Sequence, residues 1–359
     1  MTSSIFASRS GAYRNFAQLV RRWLLLDAYG RQTQFHMMIV WSTLAGFLIV
    51  EPIWLLTSRL SFANNNWEAL VRLALCIAIG FGLCGFALQR LAGVNDSVGR
   101  LLFAAAARVE LFATATLVFG LLVAFIITYC CLGAAAGLVL QDERLAGIDR
   151  WMGFDWAGFV AFANASAPVA RLLTKAYQST GYMLTFTLAW LCVMGQGDRL
   201  AEFLAIMCLT AVGIAIGMMM IPAAGAYSFY KLPLSSYENF GADAGMWHYA
   251  LLMDLRNGAA SVIDFSTPNS NCLVTFPSGH TILGVITTYA LRGSRWTLIP
   301  ALLINAAMVV STIPEGGHHL FDLVVGGAIA LGAILIVRRP LSSRSRLAKP
   351  AAVMANARS

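Results

Sequence analysis

The chain has 359 residues, of which 58% are hydrophobic and only 12% charged, with a formal net charge of +8. Soluble domains carry about 25% charged residues, so the composition excludes an ordinary soluble enzyme and points to an all-α, polytopic membrane helix bundle. The positive balance is not read as a nucleic-acid footprint, because membrane proteins gather Lys and Arg in their cytoplasmic loops.

A basic arm, residues 1–36, comes first, with Arg9, Arg14, Arg21, Arg22 and Arg31 against the single acid Asp27. Phe16, Leu19, Val20, Trp23, Leu24 and Leu25 lie among them, which fits either an amphipathic helix on the anionic cytoplasmic leaflet or a solvated arm. It leads straight into a full-length apolar run, so no cleaved signal peptide is expected. About twenty apolar residues cross a bilayer at ~1.5 Å per residue. That ruler predicts eight helices, at 37–57, 69–88, 111–139, 178–195, 201–221, 279–293, 297–313 and 318–337. The expected division is an N-terminal membrane region over 37–221, a second membrane region over 222–337 and a basic cytoplasmic tail over 338–359. Within the first region, the loop 140–177 runs through Trp151, Phe154, Trp156 and Phe159 with Asp142, Glu143 and Asp155. Such a pattern suits an interfacial helix at headgroup level, acting as a structural lid or steering a lipid.

Counting charges orients the bundle. With both termini cytoplasmic, the inside segments are the arm, 89–110, 195–202, 292–296 and the tail. They hold 17 of the 25 basic residues and 5 of the 17 acidic ones. The positive-inside rule therefore favours cytoplasmic N and C termini, and leaves 58–68, 140–177, 222–278 and 314–317 on the outer face. Six of the seven cysteines lie in apolar runs and Cys272 stands alone. None has metal-ligand spacing, and neither a metal nor another cofactor is expected.

Two of the outer segments open onto helices and carry chemistry. The first reads Thr275-Phe276-Pro277-Ser278-Gly279-His280. Pro277 suits a helix start, and Ser278 and Gly279 present backbone N–H groups at a helix N-terminus, a ready anion site. The second reads Gly316-Gly317-His318-His319-Leu320-Phe321-Asp322. His318 and Asp322 are four apart, so one helical face would hold both, with Asp322 fixing the tautomer of the ring and freeing its other nitrogen as a nucleophile. Ionisable groups near membrane depth are costly and default to functional hypotheses.

Pro277-Ser278-Gly279-His280, followed by Ser311 and by His318 with Asp322 four residues on, resembles the type 2 phosphatidic acid phosphatase superfamily. The wider stretch is most similar to its bacterial branch related to inositolphosphotransferases. The resemblance covers about residues 220–337. It implies a lipid-phosphate phosphatase or phosphotransferase in which His318 attacks phosphorus to form a phosphohistidine. His280 would protonate the leaving alcohol, Ser278 and Gly279 would hold phosphate oxygens, and no metal would take part. The implied partners are a membrane lipid with a phosphate headgroup and the bilayer itself, most simply a bacterial inner membrane with the site facing the periplasm or exterior.

The chain departs from the family pattern in three places. The first block, Lys-x6-Arg-Pro, is absent, since Lys231 is followed seven residues on by Glu238; Thr312 stands where an arginine follows Ser311; and His319 replaces a tyrosine of the related branch. Spacing to Asp322 alone selects His318 over His319. A transferring phosphoryl group needs positive charge, and the outer segment before the motif offers Arg256 and Lys231, Arg256 being the better clamp. Water and an alcohol both remain open as acceptors. Readings from other classes are an inactive lipid-binding protein and a proton-coupled transporter in which His280, His318 and Asp322 form a relay.

Overall fold

The structure is a computed structural model that describes residues 30–339 apart from 92, 93, 95, 242, 268–272 and 274. The expected amphipathic arm and basic tail lie outside the described residues, save for their junctions with the first and last helices. Every described element of length is helical, as the composition predicts. In chain order the helices are α1 Arg31–Thr57, α2 Asn64–Leu91, α3 Ser97–Ala135, α4 Asp142–Trp151, α5 Trp156–Asn164, α6 Ala167–Val193, α7 Gly197–Met220, α8 Ala226–Tyr230, α9 Tyr249–Asn257, α10 Gly279–Ala290, α11 Arg295–Ser311 and α12 Leu320–Arg338. Five of them, α1, α2, α3, α7 and α12, are long and apolar enough to cross a membrane.

Each of the eight expected stretches contains a helix, but several boundaries move for physical reasons. Helix α3 begins fourteen residues before its expected start, because Asp96 caps it by accepting the Gly99 N–H at 2.6 Å and the Ala-rich run behind it favours helix. At 39 residues it is about 58 Å long, well beyond the hydrocarbon core. Helix α6 also starts early, with Pro168 in its first turn; the exposed Arg171 and Lys175 hide that turn from a hydropathy ruler. Conversely α10 has only 12 residues, or about 18 Å, too short to span alone. The loop 140–177 is not one interfacial helix but two, α4 and α5, plus the start of α6.

Helix α7 is the central post. Leu200, Ala201, Phe203, Leu204, Ala205, Ile206 and Cys208 are all buried, so it is apolar and covered all round, and it touches α1, α3, α6, α10 and α12. Around it, α10 and α11 are joined by Asn305, whose Nδ2 donates to the hydroxyls of Thr287 at 3.0 Å and Thr288 at 2.8 Å.

Most of the connecting segments gather into two groups. At one end, Thr33 bonds Asp198, the ring of His36 bonds the Val337 carbonyl, Arg199 bonds the Ala290 carbonyl, and Arg292 pairs with Glu202. At the other end a two-residue parallel ladder, β1 Ser61–Phe62 with β2 Val262–Ile263, ties 58–68 to 222–278. Gln141 N–H donates to the Pro222 carbonyl at 2.8 Å, and Gly245 N–H to the Glu315 carbonyl at 2.8 Å. The segments 58–68, 140–177 and 314–317, all expected on the outer face, therefore each meet 222–278.

Helices α10 and α12 approach most closely where their starts cross. A Cβ added at Gly326 would lie 2.6 Å from the Ser278 carbonyl oxygen, whereas one at Gly327 would meet nothing within 4 Å. Backbone cannot yield cheaply, so Gly326→Ala should destabilise by about 1–3 kcal/mol through overpacking. Thermal unfolding in detergent should show a lower midpoint for Gly326→Ala and an unchanged one for Gly327→Ala; equal midpoints would contradict this contact.

Candidate active site

The two sequence motifs converge at that crossing. Ser278 caps α10: its Oγ accepts the Thr281 N–H at 3.3 Å, and its own N–H donates to the Asp322 carbonyl at 3.1 Å. Ser278 is fully buried. Its N–H is thus engaged inside the protein, and the expectation that it offers that N–H to a phosphate is corrected. The N–H groups of Gly279 and His280, in the first turn of α10, have no backbone acceptor among the described residues, so the anion-binding potential of the helix start resides there. Gly279 has open space where a side chain would be.

On the second motif, the expected helical face is replaced by a turn. Helix α12 begins at Leu320 with His319 as its N-cap, so His318 precedes the helix. Gly317 has φ +67, the left-handed region that glycine supplies without strain, and its carbonyl accepts the Ala226 N–H at 2.8 Å. The turn still brings His318 Nδ1 to 3.2 Å from Asp322 Oδ2, and the same oxygen accepts the His319 N–H at 3.0 Å. Asp322 is fully buried and His318 nearly so. With Nδ1 facing the carboxylate, the arrangement favours the Nδ1–H tautomer of the neutral ring, which leaves Nε2 its lone pair.

His318 and His280 line one cavity of about 450 Å³, their ring centroids 6.3 Å apart. The ring of His280 stacks on Tyr177 at 4.3 Å. The cavity has a polar end, with Tyr177, His248, Thr275 and Gly279 beside the two histidines, and an apolar end built from Phe119, Leu122, Ile126, Leu184, Ile214 and Ile286. His319 takes no part in the lining. Its ring points the other way, toward Asp142 and Asp149, which separates the adjacent histidines by geometry.

Neither nominated cation reaches this cavity. Arg256, at the end of α9, donates Nη2 to the Leu138 carbonyl at 2.7 Å and lies outside the lining. Lys231 is exposed at the left-handed C-cap of α8, with φ 50. Among the described residues no Lys or Arg lines the cavity, so the positive character available there is that of the helix-start N–H groups.

Several residues unassigned by the motif reading support it. His248 is a third cavity histidine. Burial lowers its ring to about 4, so it is neutral at pH 7, and its Nε2–H donates to the Ala224 carbonyl at 3.1 Å. Glu315 is buried against the hydroxyl of Thr174 at 2.7 Å, and burial raises its carboxyl. Asp149 accepts the N–H groups of Leu320 and Phe321, each at 3.0 Å, so a carboxylate from α4 caps α12. Asp142 does the same for Ala224 and Gly225. Trp156, stacked on Tyr230 at 5.0 Å, donates Nε1–H to the His318 carbonyl at 2.9 Å. The one sequence signal for these supports was the seven-residue spacing of Asp142 and Asp149, which sets both on one face of a helix.

Comparison with known proteins gives one family. A family model described as "PAP2 superfamily" matches residues 143–336, more than half of the chain. No curated protein and no solved structure matches.

The bond from Trp156 is a direct test of how His318 is held. Trp156→Phe keeps most of the ring packing and leaves a buried carbonyl unpaired, at a cost of about 1–3 kcal/mol. The thermal midpoint should fall. An unaltered midpoint would show that this hydrogen bond does not hold the turn.

Proposed function

The chain belongs to the PAP2 superfamily, and on that premise we propose that it is a phosphatase-type membrane enzyme acting on the phosphate of a lipid headgroup. The single observation that carries the reading is the pair of histidines on one cavity, with Asp322 behind His318. In the proposed reaction, His318 Nε2 attacks phosphorus while the bond from phosphorus to the lipid oxygen breaks. His280 gives its proton to the departing oxygen, so the first half-reaction leaves a phosphohistidine and a free lipid alcohol. Water then attacks phosphorus, His280 takes the proton it loses, and the P–N bond breaks to release phosphate. Asp322 stabilises the positive charge that develops on the His318 ring during attack.

The apolar end of the cavity supports a lipid substrate, since acyl chains can occupy it while the headgroup lies at the polar end. The N–H groups of Gly279 and His280 are the proposed partners of the phosphate oxygens, in place of arginine. The excess of basic residues on the opposite connecting segments supports a site on the non-cytoplasmic face. If an alcohol occupies the water position, it attacks phosphorus as the P–N bond breaks and the same intermediate yields the phosphate monoester of that alcohol, the phosphotransfer variant of the reaction.

A second reading follows from the absence of Lys and Arg among the described residues lining the cavity. A phosphate site without a guanidinium suits a lipid-binding protein that does not turn its ligand over. Purified protein offered a panel of lipid phosphates separates the two. The enzyme reading predicts phosphate release that survives chelators, falls at least ~10³-fold with His318→Ala, and falls roughly 10²- to 10⁴-fold with His280→Ala. Binding without release supports the second reading. Release that persists in His318→Ala would contradict the first.

A further inference from the structure

His319 is fully buried, and the catalytic reading leaves it unused. Its Nδ1 lies 3.4 Å from Asp149 Oδ2 and its Nε2 3.7 Å from Asp142 Oδ1. These are ion-pair spacings, since neither ring nitrogen makes an aligned hydrogen bond. The two carboxylates already receive backbone N–H groups, Asp149 from Leu320 and Phe321, Asp142 from Ala224 and Gly225. Helix α4 thereby grips both the start of α12 and the entry to α8. Desolvating two carboxylates this far is costly unless positive charge compensates them, and the ring of His319 sits between them.

We infer that His319 is a positioning residue that works as a buried imidazolium: its charge locks Asp142 and Asp149 onto the start of α12, and that lock holds the adjacent His318 against Asp322 and toward the cavity. This rests on the reading of His318 as the nucleophile. Asp142 and Asp149 face the ring from α4, Asp322 from α12, and Tyr230 from α8 at a centroid distance of 6.4 Å, with Arg150 beside Tyr230. His318 is the chain neighbour, its Nδ1 3.2 Å from Asp322 Oδ2. Burial disfavours the charged ring, but Asp142, Asp149 and Asp322 outweigh it and lift the ring to about 9. The folded value lies above the ordinary ~6.5. The lock is therefore complete below that pH and is lost as pH rises through about 9.

Histidine ¹⁵N-labelled protein in detergent tests the charge directly. Of the five histidines, one ring should remain protonated above pH 8, and its signal should be missing from His319→Gln. Activity on a lipid phosphate should show an alkaline limb near that titration. In His319→Gln the limb should vanish, with kcat at least tenfold lower and KM within threefold. Removing the two negative charges as well, in Asp142→Asn/Asp149→Asn/His319→Gln, should recover at least threefold of that kcat, which a merely space-filling histidine would not allow. Should His319→Gln fail to fold, Asp149→Asn gives the same decision by lowering the titration of that ring. Five rings that all lose their protons below pH 8, or a His319→Gln enzyme that keeps wild-type kcat and its alkaline limb, would overturn the inference. A wild-type protein inactive on every lipid phosphate would overturn the functional reading instead, while the ring titration would still decide the charge of His319.

Discussion

Asp322 joins more of the site than any other residue. One carboxylate oxygen holds the ring of His318 and the N–H of His319, and its carbonyl takes the N–H of Ser278 from the other motif. A residue with no exposure thus ties the starts of α10 and α12 together and orients a histidine of each on one cavity. Gly326 lets the two helices come close enough for that bond to form. Around this junction α4 and α5 form a bracket, with Asp149 capping α12 and Trp156 holding the His318 carbonyl. The turn 314–319 is thereby held by Asp322, by Asp149 at the start of α12 and by Trp156.

The motif residues were legible because their spacing is local. His318 and Asp322 were found from a four-residue interval, although the reason differs: the contact is made by a turn and an N-terminal carboxylate, with the helix starting only at Leu320. Ser278 was found as a helix-start residue, but its N–H and hydroxyl serve the cap and the crossing. The helices were legible as apolar runs wherever a span was uniform. They were misjudged where polar residues extend a helix, as in the first turns of α3 and α6.

What the sequence concealed was long-range. Arg256 and Lys231 were nominated because the chain runs past them just before the motif, yet Arg256 is held by the carbonyl of Leu138 and Lys231 faces outward. Nearness in sequence says little about side-chain direction when the segment doubles back through a short helix and several turns. Asp142, Asp149 and Trp156 lie over 160 residues before the turn they support, and no local pattern announces such partners. On the proposed function, this shifts phosphate stabilisation from guanidinium groups to helix-start N–H groups, a weaker but preorganised set.

The central claim is that the histidine held by Asp322 becomes covalently phosphorylated. Rapid acid-free quenching of the enzyme during turnover of a labelled lipid phosphate, followed by peptide mapping, addresses it directly. The account predicts a phosphoryl group on the peptide that carries the turn, localised to His318 and absent when Asp322 is replaced by Ala. Label on His319, or turnover with no labelled histidine at any quench time, would contradict it.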